Sequence, residues 1–118
     1  MHFHVSYDCL ETLQIWQDAE RVVEYLNAHD DMPMILTGDF NIRNESMAVK
    51  IIREKLAQHS EPFGNTLCRS IHPLFQKYPN HTGLGIDHIF TKNISVSSCD
   101  VRDVAVSDHL PLVLDFSL

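Results

Sequence analysis

Apolar residues recur at three- and four-residue steps through Leu13, Trp16, Ala19, Val23 and Leu26, with Gln14, Asp18, Arg21 and Glu24 filling the rest of the wheel. This period predicts an amphipathic helix over residues 12–29. Asp30, Asp31 and Pro33 break it, and Met34, Ile35 and Leu36 then form a short apolar run of the kind expected in a strand buried on both faces. Gly38-Asp39-Phe40-Asn41 thus falls at a strand's C-terminal end. A second helix is expected to begin at Asn44 or Ser46, either of which can cap it, and to carry Val49, Ile52 and Leu56 on one face to about residue 59.

From 60 to 85 the periodicity fails, and Pro62, Gly64, Pro73, Pro79, Gly83 and Gly85 punctuate polar sequence. A long, partly irregular loop is predicted, of a length that is often functional. Residues 86–91 read as a strand, residues 95–106 as one or two short ones, and Leu112, Leu114 and Phe116 alternate in a last one. Helix, strand, helix, loop and several strands make a mixed α/β (α+β) sandwich the natural class.

A chain of 118 residues with 44% hydrophobic content is one domain or part of one, with enough apolar sequence for a core. Lys+Arg 9 against Asp+Glu 16 gives a net charge of −7, which disfavours broad binding to a long polyanion. Phosphate chemistry stays open, because a divalent cation reverses the local field. Cys9, Cys68 and Cys99 are odd in number and lack C-x-x-C spacing, so neither a disulfide framework nor a cysteine zinc site is indicated. No run approaches the roughly 18–20 apolar residues of a membrane helix, no signal-peptide pattern opens the chain, and a cytoplasmic protein is expected.

Three short segments carry candidate chemistry. Asp39 and Asn41 lie two apart, so on an extended backbone they point the same way; the carboxylate can orient a water and the amide can donate to a phosphoryl oxygen. An Asx turn satisfying local amides is the structural alternative. In Ser107-Asp108-His109-Leu110-Pro111, Asp108 suits a hard cation and His109 can contact or protonate a phosphate, although the segment also reads as a polar turn. Asp87, inside the apolar Gly85-Ile86-Asp87-His88-Ile89-Phe90, needs a partner if it is buried, and a His109 imidazole would serve; an edge-strand Asp facing water, with His88 on the opposite face, is the alternative.

Ile35-Leu36-Thr37-Gly38-Asp39-Phe40-Asn41, Gly85-Ile86-Asp87-His88-Ile89-Phe90 and Ser107-Asp108-His109-Leu110-Pro111 together resemble, in order, the three C-terminal signatures of the endonuclease/exonuclease/phosphatase superfamily. The resemblance implies that Asp39 orients the attacking water and that Asn41 stabilises phosphoryl oxygens. It further implies that Asp108, with Asp39 and Asn41, belongs to a Mg²⁺ or Mn²⁺ site, and that His109 contacts the scissile phosphate with support from Asp87. A further family histidine matches His2 best, with His4 as the alternative. Where the family often carries an arginine and glutamine pair, this chain has Gln14 and Gln17.

The family's fold is a four-layer α-β-β-α sandwich of about twice this length, and the chain resembles its second half. Residues 1–118 are therefore read as the C-terminal half of such a domain. The first half supplies an Asn and a metal-binding Glu, without counterpart ahead of His2; Glu11, Glu20 and Glu24 belong to solvated helix surface. Apolar surface is expected to lie exposed where that half would pack. The function implied is hydrolysis of a phosphoester (a small molecule, a lipid head group or nucleic acid) by a Mg²⁺-dependent enzyme. The alternative is a non-catalytic remnant or interaction module needing a complementing N-terminal half.

Overall fold

The computed structural model describes residues 13–118; His2, His4, Cys9 and Glu11 lie outside the described residues. Helix α1, Leu13–Ala28, forms as its period predicts, but its core face is Ile15, Ala19, Val22 and Leu26, rotated from the predicted stripe so that Trp16 and Val23 are only half-buried at its margin. Glu20 and Glu24 stay on its exposed side. Strand β1, Met34–Asp39, pairs antiparallel with β3, Asp87–Lys92. Gly38 has φ 150°, open to glycine and strained for other residues, and it lies within β1 opposite His88.

Helix α2, Met47–Arg53, is capped by Ser46, whose Oγ accepts from the Val49 amide. It is shorter than its period suggests. Leu56 still reaches the core, but Ala57 and Gln58 leave the helix to form β2 and pair with Thr91 and Phe90 of β3. A sheet edge competing for the same backbone amides ends the helix early. The resulting sheet has the order β1-β3-β2. Strands β4, Ser95–Val101, and β5, Leu112–Ser117, form a separate antiparallel pair with a register shift between Val96 and Ser98.

The main core joins Ile15, Ala19, Val22 and Leu26 of α1 to Val49 and Ile52 of α2 and to Phe40 and Phe90. Met34 and Leu36 pack against it, whereas Ile35 is 42% exposed. Strand β1 is thus covered by the helices on one face and alternates, in place of the strand buried on both faces that its unbroken apolar run suggests. Tyr25, Met32 and Ile35 are exposed along a cleft of about 590 Å³ that Val22, Leu26 and Leu36 also line. No helix among the described residues is long and apolar enough to cross a membrane.

The segment from 60 to 85 is more ordered than its composition suggests. It contains a short helix α3, Pro73–Lys77, and a second small core of Leu67, Phe75 and Ile86 with Leu74 and Leu84 against it. Asn65 ties the segment together: its Oδ1 accepts from the amides of Leu67 and Leu84, and its Nδ2 donates to the Leu67 carbonyl. At Gly85 a Cβ would fall 2.2 Å from the Phe63 carbonyl oxygen, so the two stretches approach closely only because no side chain intervenes.

Candidate active site

Strand register brings the first two acids together. Asp39 and Asp87 are Cα partners at the ends of β1 and β3. The Asp87 side chain is only 14% exposed and accepts from Thr66 and His109, so it is not the water-facing residue of the alternative reading. The loop before β5 supplies the imidazole: Leu67 and His109 form an antiparallel bridge, the Cys68 amide donates to the Asp108 carbonyl, and the Leu110 amide donates to the Thr66 carbonyl. Ser107–Pro111 is thereby held against the 60–85 segment.

The Nδ1–H of His109 donates to Asp87 Oδ2 at 2.7 Å, while its Nε2 lies 3.7 Å from Asp39 Oδ2. Partial burial pulls the His109 pKa down, but the hydrogen bond to Asp87 and the charges of Asp87, Asp39 and Asp108 outweigh it, and the net shift is upward. Asp87 Oδ2 also accepts from Thr66 Oγ1 at 2.6 Å. Thr66, fully buried, accepts in turn from the amides of Ile86 and Asp87. The carboxylate that orients the imidazole is therefore itself oriented.

Asp39 Oδ1 accepts from the Asn41 amide at 2.9 Å, so the Asx turn is present, and Oδ2 of the same carboxylate remains on the His109 side. Asn41 is buried with φ 55°. The extended geometry used to aim Asp39 and Asn41 in one direction thus does not apply: β1 ends at Asp39 and the chain turns through a left-handed residue, a conformation asparagine tolerates better than most. Asp108 is exposed, and its Oδ1 accepts from Ser107 Oγ.

Asp39, Asp87 and His109 bring potential ligand atoms within 4.8 Å of one another, and so do His72, Asp108 and His109. Asp39 and Asp108 thus appear in two clusters that share His109. Two residues of the site, His72 in the second cluster and Thr66 hydrogen-bonded to Asp87, are absent from the motif reading. Each lies in the segment whose periodicity fails, and no local pattern marks either of them. His88, next to Asp87, points the other way and is buried, with Nε2–H donating to the Ile42 carbonyl and Nδ1 accepting from Ser60 Oγ. Gln14 donates to Asp18 within α1, and Gln17 is exposed.

This strand-end arrangement lies within a stretch, residues 3–109, that matches the model of the Endonuclease/Exonuclease/phosphatase family. The chain belongs to that family. A curated relative, a UPF0294 protein of Vibrio vulnificus strain YJ016, is 28% identical over 102 residues, which are 86% of this chain and 33% of that protein. An endonuclease/exonuclease/phosphatase structure from Bacteroides vulgatus superposes with a TM-score of 0.73 at 23% identity, covering 99% of this chain and 47% of that one. The mannosyl-6-phosphatase Bt3783 of Bacteroides thetaiotaomicron gives a TM-score of 0.70 at 22% identity, over 99% of this chain and 49% of that one. The chain therefore has the endonuclease/exonuclease/phosphatase α/β sandwich fold over a third to a half of these proteins' length.

Proposed function

We propose that this chain is the C-terminal catalytic part of a metal-dependent phosphoesterase that cleaves its substrate by in-line attack of water. The carrying observation is His109, held at Nδ1 by Asp87 and faced at Nε2 by Asp39. In this reading Asp39 orients the water and accepts its proton as the water oxygen bonds to phosphorus and the ester oxygen departs. His109, locked in orientation by Asp87 and Thr66, contacts the phosphoryl oxygens and stabilises their charge. Asn41 assists with its amide.

The donor set fits a hard divalent cation, since Asp39 and Asp108 offer carboxylate oxygens around one imidazole. Asp39, Asn41 and Asp108 would hold Mg²⁺ or Mn²⁺. When bound, such an ion stabilises negative charge on the phosphate or on the leaving oxygen.

The net charge of −7 favours a compact phosphoester over duplex nucleic acid. The likeness to a mannosyl-6-phosphatase supports a sugar phosphate among the candidates. Residues 1–118 form the second half of the domain in this proposal, and a complementing first half contributes the metal-binding Glu. The chain spans 33% of the curated relative and 47% of the Bacteroides vulgatus structure, in keeping with that division. Turnover of bis-p-nitrophenyl phosphate and of mannose 6-phosphate with and without Mg²⁺ tests the proposal. Mg²⁺-dependent turnover lost in Asp39→Ala supports it, and turnover indifferent to Mg²⁺ and to that substitution refutes it.

A further inference from the structure

His72 stands at the mouth of the site and belongs to none of the three motifs. Its Nδ1 accepts from the Leu74 amide at 3.1 Å, which caps α3. Its ring lies 5.9 Å from that of His109, nearly perpendicular at 76°. With Asp108 and His109 it forms a set whose ligand atoms lie within 4.8 Å of one another, which reads at first as a metal site.

The cap argues otherwise. An imidazole nitrogen that accepts a hydrogen bond carries no proton, so the proton of His72 sits on Nε2. An Nε2–H is a donor and has no lone pair for a metal. His109 has the opposite arrangement, because its Nδ1–H is committed to Asp87. A phosphoryl group is a tetrahedron of acceptors, and each hydrogen bond to it spans about 2.8 Å. With their ring centroids 5.9 Å apart, His72 and His109 are close enough for one nitrogen of each to reach a single phosphoryl group. We infer that His72 is a substrate-binding residue whose Nε2–H donates to a phosphoryl oxygen of the ester held at His109. The Leu74 amide fixes the tautomer that makes it a donor.

The inference rests on the phosphoesterase reading, and it is testable apart from turnover. ¹⁵N-labelled imidazole spectra of the 118-residue chain report the tautomer directly: an Nε2–H His72 is expected, and an Nδ1–H His72 overturns the assignment whatever the protein hydrolyses. Inorganic phosphate binding, followed by the same spectra, separates donor from cap. Asparagine places its oxygen near the Nδ1 position and glutamine its amide near the Nε2 position. His72→Asn keeps the cap and should weaken phosphate about tenfold without lowering Tm. His72→Gln should keep most of the affinity while lowering Tm by a few degrees. Wild-type affinity in His72→Asn overturns the inference. If His109→Ala also binds phosphate as wild type does, or if wild type binds none, the phosphoesterase reading falls and takes the inference with it. Loss of Zn²⁺ or Mn²⁺ binding in His72→Asn would make His72 a metal ligand and likewise overturn it.

Discussion

His88 and His109 flank the same carboxylate and live in opposite environments. His88 is one residue from Asp87 along β3, so the pleat sends it to the other face, where both ring nitrogens are satisfied by protein and burial pushes its pKa down. His109 is brought to Asp87 from a distant loop, remains partly open, and is surrounded by carboxylates that hold its pKa up. A histidine with both nitrogens occupied behind a sheet is a structural strut. One with a committed nitrogen and a second facing an acid is equipped to handle charge.

That contrast is broken most severely at Asp87. Asp87→Ala removes the acceptor for His109 and Thr66 and should lower phosphoester turnover by about 10²–10⁴-fold, measured as kcat/KM with a circular-dichroism check on folding. At His88 the damage should fall on stability. His88→Ala removes the donor to the Ile42 carbonyl and the acceptor of the Ser60 O–H beside a cavity, although Ser60 Oγ still accepts from the Ile89 amide, and should cost about 2–4 kcal/mol by urea unfolding, with turnover per folded molecule retained.

The two histidines should also oppose each other in pH. The folded pKa of His88 is depressed, so stability it contributes is full above its ordinary value near 6.5 and falls, by at most about 1.4 kcal/mol per pH unit, as acid is added toward the folded pKa. The folded pKa of His109 is raised, so its contribution is full below the ordinary value and is lost as pH rises through the folded pKa. Urea midpoints measured without divalent metal should therefore show an acid-side loss that disappears in a folded His88 variant, and an alkaline-side loss that disappears in His109→Ala. The smallest effect belongs to Thr66→Val, which deletes one donor to Asp87 and should reduce turnover about five- to tenfold, with Thr66→Ser restoring most of it.

Asp39, Asp87 and His109 were legible because each sits in a short pattern that ends or begins a strand, and antiparallel register then places the first two opposite each other. Thr66 and His72 were not, because what makes them relevant is the docking of residues 60–85 against the loop before β5, a contact between distant segments that leaves no local period. The early end of α2 was hidden for the same reason: Ala57 and Gln58 are good helix residues claimed by the edge of β3. The alternation of β1 escaped the reading of Met34, Ile35 and Leu36 because an unbroken apolar run does not say which face the helices will cover.

In the proposed reaction His109 is the charge-handling group of the site. Hydrolysis of bis-p-nitrophenyl phosphate in the presence of Mg²⁺, compared between the wild-type chain and His109→Ala with both melting curves recorded, tests it most directly. At least about a hundredfold loss of turnover is expected in a variant that still folds, on the order found for removing an acid–base group. Equal and measurable turnover by the two proteins would contradict it.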